Sequence, residues 1–412
     1  MSRLVQKFGG TSVGSPQLIR QVAERIARTC AARHEVAVVV SAMGDSTDRL
    51  IDLARQVVQR PMPRELDALL ATGEQVSTSL LAMALNALGV EAKSFSGWQL
   101  PIQTSAVHGR ARIEAVATTG LRSAMAQGIV PVVAGFQGVD TAGNVTTIGR
   151  GGSDTSAVAL AVALEASECQ ILTDVDGVFT TDPRLVPGAR LIPKLSFEEM
   201  LELAGQGSRV LHARSVEFAT KYNMPIRVAS THGFGDGTLI SREEANMEAP
   251  LVSGIAFNRD EAQLTVTGLP IARDIVHRVL QPFAAAHIEI DMIALTQARN
   301  ATTEISFTVD REHYAVALEL VRAAVSGVPG AAVEGDARVA KIAVVGVGMR
   351  SHAGVAAKMF ETLSNIDVPV RLISTSEIKI AALVPEKTLE LAVKELHAAF
   401  GLDGLKEVSG TR

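Results

Sequence analysis

Cysteine is almost missing from this 412-residue sequence, which carries only Cys30 and Cys169. Two thiols at unrelated positions exclude a disulfide framework and a cysteine-based metal site. They are expected as small buried hydrophobes in a reducing compartment. Charge of one sign is missing too: 39 Lys+Arg stand against 44 Asp+Glu, a net charge of -5. That balance gives no electrostatic reason to expect nucleic acid or an anionic membrane as partner. No stretch approaches the roughly 20 apolar residues of a membrane span. The opening MSRLVQKFGG reaches glycine before any apolar run of signal-peptide length, so a cytoplasmic protein is expected. Several phosphate-binding signatures are also absent. There is no GxxxxGK[ST] loop, no HRD or DFG constellation and no complete GxGxxG after a strand. The nearest candidate, Gly346-Val347-Gly348, has Ser351 where the third glycine would fall and reads as a turn.

What is present is ample core material, with 47% hydrophobic and 20% charged residues. The length predicts two or three domains. Up to about residue 232, short apolar runs alternate with glycine or small polar residues and then with amphipathic stretches. Leu4–Phe8 reads as a strand, and Pro16–Ala31 as a helix capped by Ser15 with proline in its first turn. Val36–Val40 is an unbroken apolar run, the mark of a strand covered on both faces. Val130–Ala134, Val145–Ile148 and Gln170–Thr173 are further strand candidates. Strands alternating with helices argue for a mostly parallel sheet sandwiched by helices.

Beyond a charged, glycine-rich stretch the chain repeats itself. Gln263–Gly268 matches Lys341–Gly346, Ile288–Ile293 matches Val368–Ile373, and Glu304–Val309 matches Glu377–Leu383. The order strand-helix-strand-strand-helix is that of a ferredoxin-like unit, present twice. The expected division is a first domain over 1–232, a linker over 233–250, and two small α/β domains over 251–335 and 336–412.

Four loops in the first half close predicted strands, where open α/β sheets bind ligands. In Lys7-Phe8-Gly9-Gly10-Thr11-Ser12, two glycines let backbone N–H groups approach a phosphate while Lys7 supplies a compact cation. The pair of glycines alone would be an ordinary turn; the whole string is more specific. Ser41-Ala42-Met43-Gly44 with Thr47 offers hydroxyls to a small polar substrate, or a cap to the helix around Asp48–Arg60. Gly149-Arg150-Gly151-Gly152-Ser153-Asp154 flanks an arginine with glycines, which suits bidentate capture of a carboxylate, or makes a flexible surface turn. Thr173-Asp174-Val175-Asp176-Gly177, continuing through Thr180-Thr181-Asp182-Pro183-Arg184, suits a nucleotide with its metal, or is an Asp-rich turn.

Taken in order and spacing, KFGGTS (7–12), VSAMGDSTD (40–48), TGEQVS (72–77), GFQG (135–138), GRGGSDTSA (149–157) and TDVDGVFTTDPR (173–184) resemble the aspartokinase family of the amino-acid kinase superfamily. LSFEEMLELA (195–204) and the repeats, which resemble tandem ACT domains, extend the likeness over almost the whole chain. The resemblance implies an amino-acid kinase fold followed by two βαββαβ ACT domains. It implies transfer of the γ-phosphoryl group of Mg-ATP to the side-chain carboxylate of aspartate, the first step toward lysine, threonine and methionine. By the same resemblance, Lys7 would neutralise charge on the transferring group and Asp154 would orient Lys7 or hold substrate. Ser41, Thr47, Glu74 and Arg150, with Gly151, Gly152 and Ser153, would bind aspartate, Arg150 taking its α-carboxylate. Lys7, Phe8, Gly9, Gly10, Thr173, Asp174, Phe179, Asp182 and Arg184 would bind ATP. Arg209 stands where the family carries a nucleotide-binding lysine, keeping charge but changing geometry. No protein-only metal site is expected; Mg²⁺ accompanies ATP.

The regulatory half departs further from the family pattern. Ile271-Ala272-Arg273-Asp274 occupies the place of a DKPG-like loop, and Leu295-Thr296 that of a QN pair. Ser374-Thr375-Ser376-Glu377-Ile378 is kept more faithfully and marks the effector-binding segment. The expectation is weak or altered feedback by lysine or threonine, with the ACT pair serving a homodimer or higher oligomer. Met247 could start a separate regulatory subunit, and no homoserine dehydrogenase is expected beyond Arg412. Two alternatives stand beside this reading. One is a kinase for glutamate or acetylglutamate, disfavoured by the ACT tail and GRGGSD. The other is a silent amino-acid sensor, disfavoured by intact Lys7, Glu74, Arg150, Asp154 and Asp174.

Overall fold

The computed structural model describes residues 2–99, 102–207, 210–233, 235–243, 252–297, 302–347, 349 and 354–403. The chain forms two compact units. The first comprises Met1–Val178, Leu191–Gly205 and Arg209–Asn246; the second comprises Phe179–Arg190, Gln206–Ser208 and Met247–Arg412. The stretch from Phe179 to Arg190 thus leaves the first unit in mid-sequence, which the expectation of one body over 1–232 did not include. Its sequence explains the exchange: Leu185 and Val186 join a hydrophobic core of the second unit, and Thr180 O accepts a hydrogen bond from Ile255 N (2.7 Å). Arg209, Met247 and, within the 233–250 stretch, residues 234 and 244–250 lie outside the described residues.

The first unit is built on an eight-stranded sheet. Across it run Lys194–Ser196, Thr238–Ser241, Ile226–Ser230, Glu168–Thr173, Arg3–Phe8, Glu35–Val40, Val130–Ala134 and Ala92–Phe95. From Ile226–Ser230 onward all neighbours are parallel. The valine run within Glu35–Val40 fits its place because helices cover both faces. Ser15 Oγ accepts from Leu18 N (3.2 Å) and starts the helix Pro16–Ala31. Its Ile19, Val22 and Ile26 pack with Phe8, Val38, Val132, Leu81 and Leu85 in one core. Each such side chain contributes about 1.5–3 kcal/mol on burial. The helix Gly152–Leu164 is buried on nearly every side, which accounts for its lack of a polar stripe. Among the described residues one helical stretch, Pro63–Ala87, is by length and composition apolar enough to cross a membrane, which the sequence reading did not expect. Half of its most apolar window is buried within the protein. Cys169 is fully buried, and burial pushes its thiol far up, as suits an inert core position.

One strand candidate lands elsewhere. Val145–Thr147 is not in the large sheet; it pairs antiparallel with Gln137–Val139 in a four-stranded sheet with Ile102–Thr104 and Ile113–Val116. Its short alternating pattern could not distinguish the two sheets.

The second unit has a single six-stranded sheet in the order Ile290–Gln297, Thr302–Asp310, Gly254–Pro270, Ala332–Val345, Lys379–Pro385 and Leu372–Thr375. Two ferredoxin-like modules share it, and they are nested. The later part of Gly254–Pro270 pairs with Thr302–Asp310 and with the first part of Ala332–Val345. Helices Ile275–Ala286 and Tyr314–Val325 cover this first module, with Phe283 and Phe307 edge to face at 5.2 Å. The second module uses the later part of Ala332–Val345, then Gly354–Asn365, Leu372–Thr375, Lys379–Pro385 and Leu389–Ala399. Its remaining strand, Gly254–Asn258, comes from before the first module and pairs with Lys341–Val345. The expected tandem is therefore one module inserted within the other.

Candidate active site

Register brings the first, second and fourth loops to one end of the large sheet. The third, Gly149–Asp154, follows a strand of the four-stranded sheet and reaches that end through the contact of Asp154 with Lys7. Lys7 lies opposite Val39 and Ile171, so the strands Arg3–Phe8, Glu35–Val40 and Glu168–Thr173 end side by side. Val40 is in turn opposite Ala134. Backbone hydrogen bonds lock the exits together: Gly9 N to Leu172 O (3.2 Å), Ser41 N to Phe8 O (3.1 Å), Gly135 N to Val40 O (3.0 Å) and Gly44 N to Gly10 O (3.0 Å). Gly10 has to be glycine here, since a Cβ would stand 2.8 Å from Ala42 O.

The charge centre is the pair Lys7–Asp154. Lys7 Nζ lies 2.6 Å from Asp154 Oδ1, and both side chains are largely buried. Asp154 occupies the first turn of Gly152–Leu164, where helix N–H groups and the macrodipole favour a carboxylate. Gly151 caps that helix in the left-handed region at φ +66°, with no side-chain cap. Gly152 N donates to Gly149 O (2.9 Å), and the N–H groups of the following first-turn residues point where an anion would be favoured. A Cβ on Gly151 would meet His212 Cβ at 2.2 Å, and one on Gly135 would meet Ser153 at 2.9 Å. Lys7, Gly9, Gly10, Gly151, Gly152, Ser153 and Asp154 thus surround the ends of two adjoining elements.

The second loop carries a different electrostatic signature. Glu74, in the helix Thr72–Ala87, is 2% exposed, and its Oε1 accepts from Ala42 N (3.0 Å). Its Oε2 has no hydrogen-bond partner among the described residues. Burial pushes the carboxyl up to about 7, against the opposing pull of the Ala42 amide. An ionised Glu74 would suit a cationic group brought by a ligand. Ser77 Oγ donates to Ser41 O (2.7 Å), so one helix fixes both Glu74 and the Ser41 loop. Ser77 carries no charge and follows TGEQV in a helical pattern, and its position role is invisible without the fold. Thr47 lies in the first turn of Ser46–Val57.

Arg150 is exposed and has no ion-pair partner among the described residues. Thr173 Oγ1 donates to Asp174 Oδ1 (3.0 Å) at the end of Glu168–Thr173. Phe179, Asp182 and Arg184 belong to the second unit. There Arg184 Nη2 and Nε hold Asp182 at 2.7 and 3.0 Å, and this guanidinium keeps the Asp182 carboxyl below its ordinary range. Ser374 and Thr375 end the strand Leu372–Thr375, and Ser376 N donates to Lys379 O (2.9 Å), making Ser376–Ile378 a tight reversal.

Residues 2–230 match the amino acid kinase family, and residues 342–400 match an ACT domain. The chain is 53% identical over 405 residues to an aspartokinase of Pseudomonas aeruginosa, covering 98% of each. Among solved structures it is similar to Escherichia coli aspartokinase III in complex with aspartate and ADP in the R-state. That match has a TM-score of 0.82 and 27% identity over 96% of this chain and 99% of the other. The same enzyme in complex with lysine and aspartate in the T-state gives a TM-score of 0.77 at 26% identity, with the same coverage.

Proposed function

Since the chain belongs to the aspartokinase family, we propose that its loops divide one phosphoryl transfer between a phosphate end around Lys7 and an amino-acid end around Glu74. The reaction is that of an aspartate kinase: a carboxylate oxygen of the aspartate side chain attacks the γ-phosphorus of ATP. The Oδ–P bond forms, the bond from phosphorus to the β,γ-bridging oxygen breaks, and ADP leaves with its electron pair.

No general base is required, because the nucleophile is a carboxylate with an unperturbed pKa of about 3.9. The work is alignment and charge neutralisation between two anions. Lys7 places its ammonium where charge builds on the transferring group, and Asp154 holds that ammonium in place. Gly9 and Gly10, beside Phe8, admit phosphate close to the backbone. At the amino-acid end Glu74 takes the α-ammonium and Arg150 the α-carboxylate, with Ser41, Thr47, Gly151, Gly152 and Ser153 shaping the cradle. Thr173, Asp174, Phe179, Asp182, Arg184 and Arg209 serve the nucleotide. Thr173 and Asp174 offer the hard oxygen donors that Mg²⁺ prefers, and Mg²⁺ commonly reaches such sites on the phosphates. When bound it would supply further positive charge against the phosphates. The observation that carries this reading is the largely buried Lys7–Asp154 pair at a helix N-terminus beside two glycines. A hydroxamate assay for the acyl phosphate, run with aspartate, glutamate and acetylglutamate, tests it. Product with aspartate alone is expected; preference for either other acid overturns it.

For the second unit we infer dimerisation through the sheet edges in a cytoplasmic enzyme. Ile293 and Leu295 on one edge strand and Ile373 on the other are each more than half exposed. Exposed apolar side chains on edge strands invite a second copy. The E. coli relative binds lysine, but here the loop Ile271–Asp274 has neither proline nor glycine. Feedback by lysine or threonine through Ser374–Ile378 is therefore weak or altered. Strong inhibition by either at low millimolar concentration would overturn this.

A further inference from the structure

We propose that Asp67 is a positioning residue for Arg150, holding the loop that aims this arginine at the substrate carboxylate; the inference rests on the role given to Arg150 above. Asp67 lies on the helix Pro63–Leu70, distant in sequence from every loop so far discussed, and is 2% exposed. A buried carboxylate is costly unless its lone pairs are filled. Here they are filled by two other chain segments. Oδ1 accepts from Thr147 Oγ1 (2.6 Å) and Gly109 N (3.1 Å). Oδ2 accepts from Thr147 N (3.0 Å), Gly109 N (3.0 Å) and His108 Nδ1 (2.8 Å).

Both gripped segments bear on the loop. Thr147 ends the strand Val145–Thr147, three residues before Arg150. Gly149, at φ +87°, approaches Gly109 so closely that a Cβ would stand 2.9 Å from Gly109 O. Arg214 closes the same stretch from the helix Ala213–Tyr222, donating from Nη1 to Ile148 O and from Nη2 to Ala111 O, each at 2.7 Å. The backbone is thus held at Thr147 and Ile148 and closely packed at Gly149, while the exposed Arg150 side chain has no ion-pair partner among the described residues. The loop needs such support, because left-handed glycines on both sides of Arg150 give it little stiffness of its own. A small error in placing a charged group is expensive in catalysis.

The test is a set of purified full-length variants with both Michaelis constants measured. Thr147→Val removes the hydroxyl that donates to Asp67 at nearly constant volume; Thr147→Ser keeps it. We expect Thr147→Val to raise KM for aspartate about tenfold while KM for ATP stays within about twofold. Thr147→Ser should restore the parent value. Combining Thr147→Val with Arg150→Gln should cost no more than Arg150→Gln alone, because the grip then has nothing to aim. Should Thr147→Val not fold, Asp67→Asn takes its place in the same scheme. A lowered melting temperature with both constants unchanged, or both constants rising together, overturns the proposal. So do costs that multiply in the double variant. If Arg150→Gln raises KM for aspartate but Thr147→Val does not, the positioning role alone fails. If Arg150→Gln leaves that KM unchanged, the reading of Arg150 fails and takes the proposal with it.

Discussion

Lys7 in the first unit and Lys341 in the second are both nearly removed from water, but they are neutralised differently. Lys7, with 11% of its side chain exposed, has one carboxylate, Asp154, and adjoins two glycines. Lys341, with 3% exposed, has two: Glu261 at 3.2 Å and Asp291 in contact. Burial alone would lower the Lys341 ammonium, yet the charges of Glu261 and Asp291 outweigh it and hold Lys341 above its ordinary value. Burial pushes both acids up, Glu261 even with the Lys341 ammonium beside it, and Glu74 up to about 7 with no ion-pair cation of its own among the described residues. The difference is therefore one of partners: Glu261 has a cation within its own unit, whereas Glu74 has none among the described residues, which is the pattern expected of a group that awaits a ligand's charge.

The largest effect should come from Lys7→Ala, which is expected to lower kcat by about a thousandfold while the fold is kept. Steady-state acyl-phosphate production together with circular dichroism checks both halves. Near-normal turnover would break the comparison on its first side. Lys341→Met should do the reverse. It strands Glu261 and Asp291 without their cation, an expected loss of about 3–5 kcal/mol in unfolding free energy. Turnover without effectors should persist below the lowered melting temperature. If Lys341→Met instead loses turnover while melting normally, the two lysines are not opposites.

Glu74 sharpens the contrast through pH. Its folded value, raised from 4.5 to about 7, lies above the unfolded one, so stability from this group is full below pH 4.5 and is lost as pH rises through 7. A substrate ammonium prefers the ionised form. The KM for aspartate should therefore fall as pH rises between about 6 and 8, by up to about tenfold per unit below the midpoint. Glu74→Gln should flatten that profile and leave the profile for ATP alone. An unchanged slope would remove Glu74 from the amino-acid end.

These contrasts also decide what could be read in the sequence. The four loops were legible because their glycines and charges are local: KFGGTS and GRGGSD each carry their chemistry within six residues. The repeats were legible as modules, but not their nesting. A single uninterrupted run from Gly254 to Pro270 serves two modules, and Gly254–Asn258 finds its partner, Lys341–Val345, more than eighty residues on. Asp67 was illegible for the same reason. It sits in an ordinary amphipathic PRELDALL pattern, and its partners lie 41 and 80 residues away. The passage of Phe179–Arg190 into the second unit rests on Leu185 and Val186, whose apolar character says only that they are buried, not where.

The smallest predicted effect concerns that same stretch. Thr180, 4% exposed, is bonded through Oγ1 to His397 Nε2 at 2.8 Å and accepts from Arg190 N at 2.9 Å. His397 is fully buried, and burial lowers it below its ordinary value despite Asp403, whose Oδ1 lies 3.1 Å from Nδ1. A neutral ring donates from one nitrogen only. With the carboxylate facing Nδ1, that nitrogen carries the proton, Nε2 accepts, and the Thr180 hydroxyl donates. Thr180→Val then leaves a buried acceptor unpaired, at a cost of about 1–3 kcal/mol. Because the folded pKa of His397 is depressed, its stability contribution is full above about pH 6.5 and is lost as pH falls toward the folded value. Thermal unfolding of the variant should therefore be lowered at neutral pH and stay lowered in mild acid, where a protonated Nε2 would donate to the Thr180 oxygen instead and find no acceptor in valine. A variant that melts with the parent across that range would remove Thr180 from the support of His397.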